Sequence, residues 1–259
     1  MIKNTLVKWV GFPSILISGD TLVTDRWLWI RKRLPVVKSS ENNKLLDVGC
    51  GPGPFTIGAA RRGWQSLGLS WDKSQCVKGT ERANFCKAPN ARFSVCDVRR
   101  LDKEKNFVGQ FDVVICMETI EHIINDQKLM ADMGNCLKMG GKLLLSSPNF
   151  NFIPMYYDKK IPPPPMEEED GTHVRWGYLP EDFHRLCDAT GFTVNEISYC
   201  SGFFSQKITS LYRFLNLKTN YVFAWVVVSP LRILPLLFDR FIKYTNYSIC
   251  LVATKTRQL

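Results

Sequence analysis

Two stretches of this sequence hold residue types that do chemistry. The first runs Met117-Glu118-Thr119-Ile120-Glu121-His122. Glu118 and Glu121 are three apart and Glu118 and His122 four apart, spacings that face one way on a helical turn. His173, in Thr172-His173-Val174-Arg175-Trp176, is a candidate to join them. Two carboxylates and two imidazoles suit a divalent ion, Mg2+ or Zn2+, that would acidify a bound hydroxyl. Without an ion, His122, Glu118 or His173 can take a proton or orient an acceptor. Ordinary pocket lining is the alternative for all four residues. The remaining histidine, His184, falls on a predicted helix as a surface residue.

The second stretch is Leu45-Leu46-Asp47-Val48-Gly49-Cys50-Gly51-Pro52-Gly53-Pro54. Leu45, Leu46 and Val48 suit a parallel strand buried on both faces. The glycines open backbone angles closed to other residues, and Pro54 fits the first turn of a helix. Strand, glycine turn and helix start together make a nucleotide pocket at the carboxyl edge of a sheet. A dinucleotide fingerprint reads G-x-G-x-x-G. Here the glycines fall as G-x-G-x-G with Asp47 two residues ahead.

That D-x-G-x-G-x-G pattern resembles motif I of class I S-adenosylmethionine (SAM) methyltransferases. The resemblance covers about residues 44–200. It implies a Rossmann-like seven-stranded α/β sheet with helices on both faces. It also implies SAM contacts from Asp47, Gly49, Cys50, Gly51, Gly53 and Met117. The family places an acid at the end of strand 2 for the ribose hydroxyls, whereas this chain has Ser70. The string Ser70-Trp71-Asp72-Lys73-Ser74-Gln75 is similar to a segment of cyclopropane fatty-acid synthases and tocopherol methyltransferases, which gives the ribose contact to Gln75. Asp72 competes for that role and equally suits a helix N-cap. After strand 3, the resemblance assigns the adenine amino group to Asp97 and a ring nitrogen to the Val98 N–H. A loop cap is the alternative for Asp97. The Cys116 to His122 string is similar to ubiquinone-biosynthesis O-methyltransferases. With His173 it also resembles the metal site of small-RNA 2′-O-methyltransferases.

Elements must position these residues. Strands are predicted at about 44–49, 65–70, 92–95, 111–117, 142–147, 192–200 and 248–253. Helices are predicted at about 54–63, from after His122 to about Leu137, and from Pro180 to Gly191. Residues 1–40 form an N-terminal helical extension, with Asp20 or Thr21 capping a helix to Pro35. Leu22, Val23, Trp27, Ile30 and Leu34 line one side of it. Such a helix either lies over the cofactor pocket or packs on the sheet. The core occupies 41–200, and 248–259 returns its last strand. Residues 148–177 lack periodicity and contain Pro162 to Pro165, so a stiff loop over the substrate is expected there, with disorder as the alternative.

Residues 201–247 are an apolar helical insertion between strands 6 and 7. Arg232, Pro230 and Pro235 interrupt its apolar run, short of the roughly 20 residues of a membrane span. An interfacial hairpin over 221–243, facing a membrane surface, is one reading. A helical cap over the pocket or a homodimer contact is the other.

The 259 residues and 45% hydrophobic content suffice for one such core with additions. A net charge of +10 permits an anionic partner, but no aromatic–basic nucleic-acid motif is visible. Nine cysteines with no C-x-x-C argue for reduced thiols in a cytoplasmic protein, against a zinc–cysteine site. The apolar run from Trp9 to Ile17 is too short and broken for a signal peptide. The expectation is a SAM-dependent transfer of a methyl group, by in-line displacement, to a hydroxyl of a small or lipid-like acceptor. N-methylation of a small molecule, or a non-catalytic SAM-binding partner protein, are the alternatives. A nicotinamide dehydrogenase is the reading that the glycine spacing opposes.

Overall fold

The computed structural model of the chain describes residues 7–17, 20–153, 169 and 171–258. The proline run 162–165 therefore lies outside the described residues, and with it most of the expected substrate loop. The N-terminal helices are α1 (Phe12–Ile17) and α2 (Thr21–Arg33). Then follow β1 (Lys44–Val48), α3 (Pro54–Ala60), β2 (Gln65–Ser70), α4 (Lys73–Phe85) and β3 (Ala91–Val95). The second half contains β4 (Phe111–Met117), α5 (Asp126–Cys136), β5 (Leu137–Pro148), α6 (Pro180–Ala189), β6 (Phe192–Cys200) and β7 (Ser248–Lys255). Between β6 and β7 stand α7 (Phe203–Lys218), α8 (Tyr221–Val228) and α9 (Ile233–Phe238).

The strands form one sheet in the order β3-β2-β1-β4-β5-β7-β6, with β7 antiparallel to both neighbours. The chain runs outward from β1 to β3, then crosses back to place β4 against β1. That reversal opens a crevice beyond the carboxyl ends of β1 and β4, where this fold class binds ligands. The expected Rossmann-like seven-stranded sheet, with its helical insertion, is what the chain forms.

Alternation along the strands divides the core between the two faces. Leu46, Val48, Val114, Cys116, Leu143 and Leu145 pack with α5 and α6 through Met130, Met133 and Phe183. Leu45, Val113, Ile115 and Leu144 pack on the other face against Trp27 and Ile30 of α2 and Ile57 of α3. Asp20 caps α2 by accepting the Leu22 N–H at 2.9 Å. The helix packs on the sheet: the Trp29 indole donates to Ser198 Oγ at 2.9 Å, and Arg33 pairs with Glu196 on β6. No residue of α2 lines the nucleotide crevice, so the packing reading of this helix holds.

Two boundaries differ from the sequence reading. The helix after β4 begins at Asp126, capped by Asn125, because a short 3-10 turn over Ile120–His122 comes first. β5 begins at Leu137 rather than 142, since buried Leu137 pairs with Phe111 while exposed Lys138 to Gly140 bulge out before pairing resumes at Lys142. The insertion folds as a hairpin. The Asp239 carboxylate accepts the Phe204 N–H at 2.7 Å and the Ser205 N–H at 3.2 Å, which returns its far end to the start of α7. The helical course Tyr221–Phe241, 21 residues, is long and apolar enough to cross a membrane. The sequence reading denied it that length, because the prolines and Arg232 were expected to break it. Pro230 and Arg232 fall instead in a 3-10 turn, Ser229–Arg232, with Arg232 turned inward, and Pro235 sits in the first turn of α9, so the course stays helical.

Candidate active site

A cavity of about 590 Å3 lies at the crevice, walled by the loops that leave β1, β2, β3 and β4. The β1 bend supplies Gly49, Gly51 and Pro52. Gly49 has φ of 78°, and a Cβ there would stand 2.2 Å from Thr119 Oγ1, so only glycine lets the two turns meet. Gly51 has φ of 50°, and a Cβ there would meet nothing within 4 Å. Its missing side chain thus leaves open space at the cavity wall.

Four residues assigned to the cofactor by resemblance do not line the cavity. Asp47 is buried beneath the bend and accepts the Thr56 hydroxyl at 2.6 Å. Burial pushes its carboxyl up to about 7, against the pull of the Thr56 hydrogen bonds. Cys50 also turns inward, its Sγ close to where a Cβ on Gly68 would sit. Gly53 caps α3 with φ of 77°, and a Cβ there would strike Phe93 at 2.3 Å. Met117 points into the core face shared with α2. Asp47 and Met117 share one reason: at a strand end, side chains still alternate into the core.

The ends of β2 and β3 contribute Ser70, Asp72, Gln75, Asp97 and Val98 to the lining. Asp72 is also the N-cap of α4, accepting the Ser74 N–H at 2.7 Å and the Ser74 hydroxyl at 2.9 Å. Those bonds hold its carboxyl below the usual range. The Ser70 hydroxyl accepts the Asp72 N–H at 3.3 Å. Asp97 likewise combines both readings. It caps the next turn through the Arg99 N–H at 3.1 Å, and its carboxylate is gripped by Arg99 Nε at 2.8 Å and Nη2 at 2.7 Å. The Arg99 hydrogen bonds hold Asp97 below the usual carboxylate range, so it faces the cavity ionised. Arg99 also donates to Glu169 at 3.1 Å.

Glu118 parts from the other three acid–base candidates. It has φ of 51°, which swings its side chain away from the following turn. Its carboxylate pairs with Arg26 of α2 at 3.0 Å and accepts the hydroxyls of Ser146 at 2.9 Å and Ser248 at 3.1 Å. Burial pulls the Arg26 guanidinium down, but Glu118, helped by Cys200, Asp20 and Tyr247, keeps Arg26 firmly charged. The expected helical face of Glu118, Glu121 and His122 is absent because Glu118 stands before a 3-10 turn rather than inside a helix.

Glu121, His122 and His173 do converge, each offering a ligand atom within 4.8 Å of the others. His122 lines the cavity, and the His173 ring stands edge-on to it at 4.6 Å between centroids. Glu121 is fully buried and takes the Ser147 hydroxyl at 3.3 Å on one oxygen. Its other oxygen and His122 Nδ1 are buried without a hydrogen-bond partner. Burial, then the Glu118 charge, raises the Glu121 carboxyl well above its usual range. Burial, then His122 and Arg213, lowers His173 to about 4. The segment carrying His173 is stitched to the 121–126 turn. Val174 N–H donates to the Glu121 carbonyl at 3.0 Å, Arg175 donates to the Ile123 and Ile124 carbonyls at 2.8 and 2.9 Å, and Arg175 pairs with Asp126. His184 is exposed on α6, as expected.

Trp71, Arg99, Thr119, Ile123 and Glu169 line the cavity without having been singled out. Trp71 and Arg99 each lie one residue from an assigned position, so strand-end position could have found them. For Glu169 the sequence carries no such signal.

A family model described as a methyltransferase domain matches residues 25–197. A ubiquinone biosynthesis O-methyltransferase of Acinetobacter baumannii (strain AYE) is 33% identical over 108 residues, 42% of this chain and 45% of that protein. The match thus spans less than half the length of that relative. Among solved structures, the [4+2]-cyclase SpnF has a TM-score of 0.60 at 19% identity, covering 90% of this chain and 82% of that one. A phosphoethanolamine N-methyltransferase 2 of Haemonchus contortus, solved with SAM, has a TM-score of 0.61 at 18% identity, covering 98% of this chain and 60% of that one. At these identities the two structures show the fold, and their chemistries differ. The family match takes in β1 to β5, the glycine bend and the cavity walls alike; the chain belongs to the methyltransferase-domain family.

Proposed function

We propose that this enzyme methylates a hydroxyl of a small or lipid-like acceptor. The observation that carries this reading is the His122–His173 pair beside buried Glu121 at the cavity wall. A hydroxyl must lose its proton to attack, whereas an amine or thiolate nucleophile needs less help. The curated relative named as an O-methyltransferase supports oxygen, and the apolar insertion beside the sheet edge supports a lipid-like acceptor.

Bound SAM supplies an electrophilic methyl carbon, open to in-line displacement. The cavity fits it: the open space at Gly51 admits a ligand against the bend, and ionised Asp97 offers acceptor oxygens for an exocyclic amine. Gln75 would hold the ribose, the Val98 N–H a ring nitrogen, and Ser70 or Asp72 the remaining hydroxyl. Holding both reactants along one axis supplies much of the rate. His122, at the cavity surface, takes the acceptor's proton. His173 at about 4 stays neutral at physiological pH and is a weak base, which suits it to orient His122.

The same observation admits a divalent ion. The orphaned Glu121 oxygen and His122 Nδ1, with neutral His173, form a donor set that fits a metal. One carboxylate with two imidazoles favours Zn2+ or a similar ion over Mg2+, which prefers oxygen ligands. An ion held by Glu121, His122 and His173 would acidify a neighbouring hydroxyl. Glu118, committed to Arg26, is not part of that set.

The test is methyl transfer from radiolabelled SAM to a matched panel of phenols, alcohols and amines, with and without prior chelation. Label entering hydroxyl acceptors supports the reading. Label entering amines alone contradicts it and favours N-methylation.

A further inference from the structure

The insertion presents an apolar face to the outside rather than to the core. On α8, Ala224 and Val228 are buried, while Val222, Phe223, Val226 and Val227 are exposed. The exposed set recurs at i, i+1, i+4 and i+5, which is one side of a helix. On α9 the same holds for Ile233, Leu236 and Leu237, and on α7 for Phe214 and Leu217. Exposed apolar area on this scale marks an interaction site.

The charges around that face identify what it meets. Between residues 201 and 247 the basic side chains are Lys207, Arg213, Lys218, Arg232, Arg240 and Lys243, and the one acid is Asp239. Asp239 is consumed in capping α7. Lys207, Lys218, Arg240 and Lys243 are exposed. A self-complementary contact with a second copy would set these cations against their own equivalents. An apolar face bordered by lysines and arginines instead fits the interface of an anionic bilayer, with acyl chains beneath the helices and headgroups at the rim.

The hairpin is also fastened as a surface element. Its two ends meet through Asp239 and the start of α7, and the Trp225 indole donates to the Ile17 carbonyl at 3.0 Å. α7 is tied to α2 because Thr209 Oγ1 and Arg213 donate to Asp20 at 2.9 and 3.1 Å. These ties hold Tyr221–Phe241 along the domain, although its length alone would allow a crossing. Arg213 also lies close enough to act electrostatically on His173.

We propose that the exposed face of α7–α9 docks this enzyme on an anionic lipid surface. This deepens the reading of a lipid-like acceptor and rests on it for its purpose, but docking is measured without turnover. The full chain is floated with vesicles of phosphatidylcholine alone, or of phosphatidylcholine and phosphatidylglycerol in equal parts. The protein is expected to rise with the mixed vesicles, to stay behind with the neutral ones, and to be released by high salt. Val226, 58% exposed, can be changed without opening the core. Val226→Glu should lower vesicle affinity about tenfold or more, as should Lys218→Glu combined with Lys243→Glu. SAM affinity, measured on the same preparations, should not change, which separates lost docking from lost folding. No flotation with either vesicle overturns the proposal. So does resistance to alkaline carbonate, which would mean a bilayer-spanning helix. A dimer that Val226→Glu dissolves, without any lipid binding, overturns it in favour of a second copy. Flotation without methylation of any lipid leaves docking standing and removes the lipid-like acceptor.

Discussion

At Gly51 the absence of a side chain is the functional group. A Cβ there would project into the open space of the cavity. Gly51→Val should therefore abolish SAM binding by calorimetry; because φ of 50° also strains a β-branched residue, circular dichroism should show the fold kept but melting at a lower temperature. His122→Ala should lower kcat about a hundredfold and leave the SAM Kd within about threefold, since it removes a proton acceptor and no proposed cofactor contact. Unchanged turnover would take His122 off the catalytic list. Glu118 invites the opposite expectation. Removing it strands the nearly buried Arg26 guanidinium, so Glu118→Ala should destabilise the fold by about 3 kcal/mol in urea titration. Normal stability with lost turnover would return Glu118 to catalysis. Asp97 and Gln75 were placed at the cavity by the family resemblance, and His122 by the string that follows β4. The directions of Asp47, Cys50 and Met117 could not be read in this way, because one step along a strand end exchanges core for crevice. Glu118 was misplaced because a positive φ followed by a 3-10 turn breaks the helical spacing assumed for it.

Elements were more legible than residues. Runs such as Phe111 to Met117 are apolar throughout and bounded by turn residues, so their identity as buried strands follows from composition. Boundaries at the bulge after Leu137 were not legible, because nothing in Lys138 to Gly141 shows that pairing skips and resumes. The joint between α2 and α7 makes a pH-dependent prediction. Burial raises the Asp25 carboxyl to about 6, against the pull of the Ser205 and Ser201 hydroxyls. A carboxyl raised in the folded state costs nothing below its unfolded value near 3.8, and the cost grows until the pH passes about 6. Asp25→Asn should therefore gain stability relative to the parent between about pH 4 and pH 6, by about 3 kcal/mol in total. A difference between the two proteins that does not change with pH in that window would contradict this assignment.

Over the whole molecule, the sheet order places the candidate loops at one edge, which is why the glycine bend, the ends of β2 and β3, and His122 share one cavity. The N-terminal helix, the sheet and the insertion are bound into one body by Arg26–Glu118, Trp29–Ser198 and Asp20–Arg213. An apolar stretch between β6 and β7 was visible in the sequence. Its outward-facing side was not, since Val222 to Val228 are apolar all round and only packing shows which side is covered.

The central claim is that the first glycine bend holds the cofactor. A crystal structure with S-adenosylhomocysteine tests it most directly. The sulfur should lie beside Gly49 and Gly51, the ribose by Gln75, and the adenine amino group on Asp97. Density for the ligand away from this cavity, or an adenine with no contact to Asp97 or Val98, would contradict it.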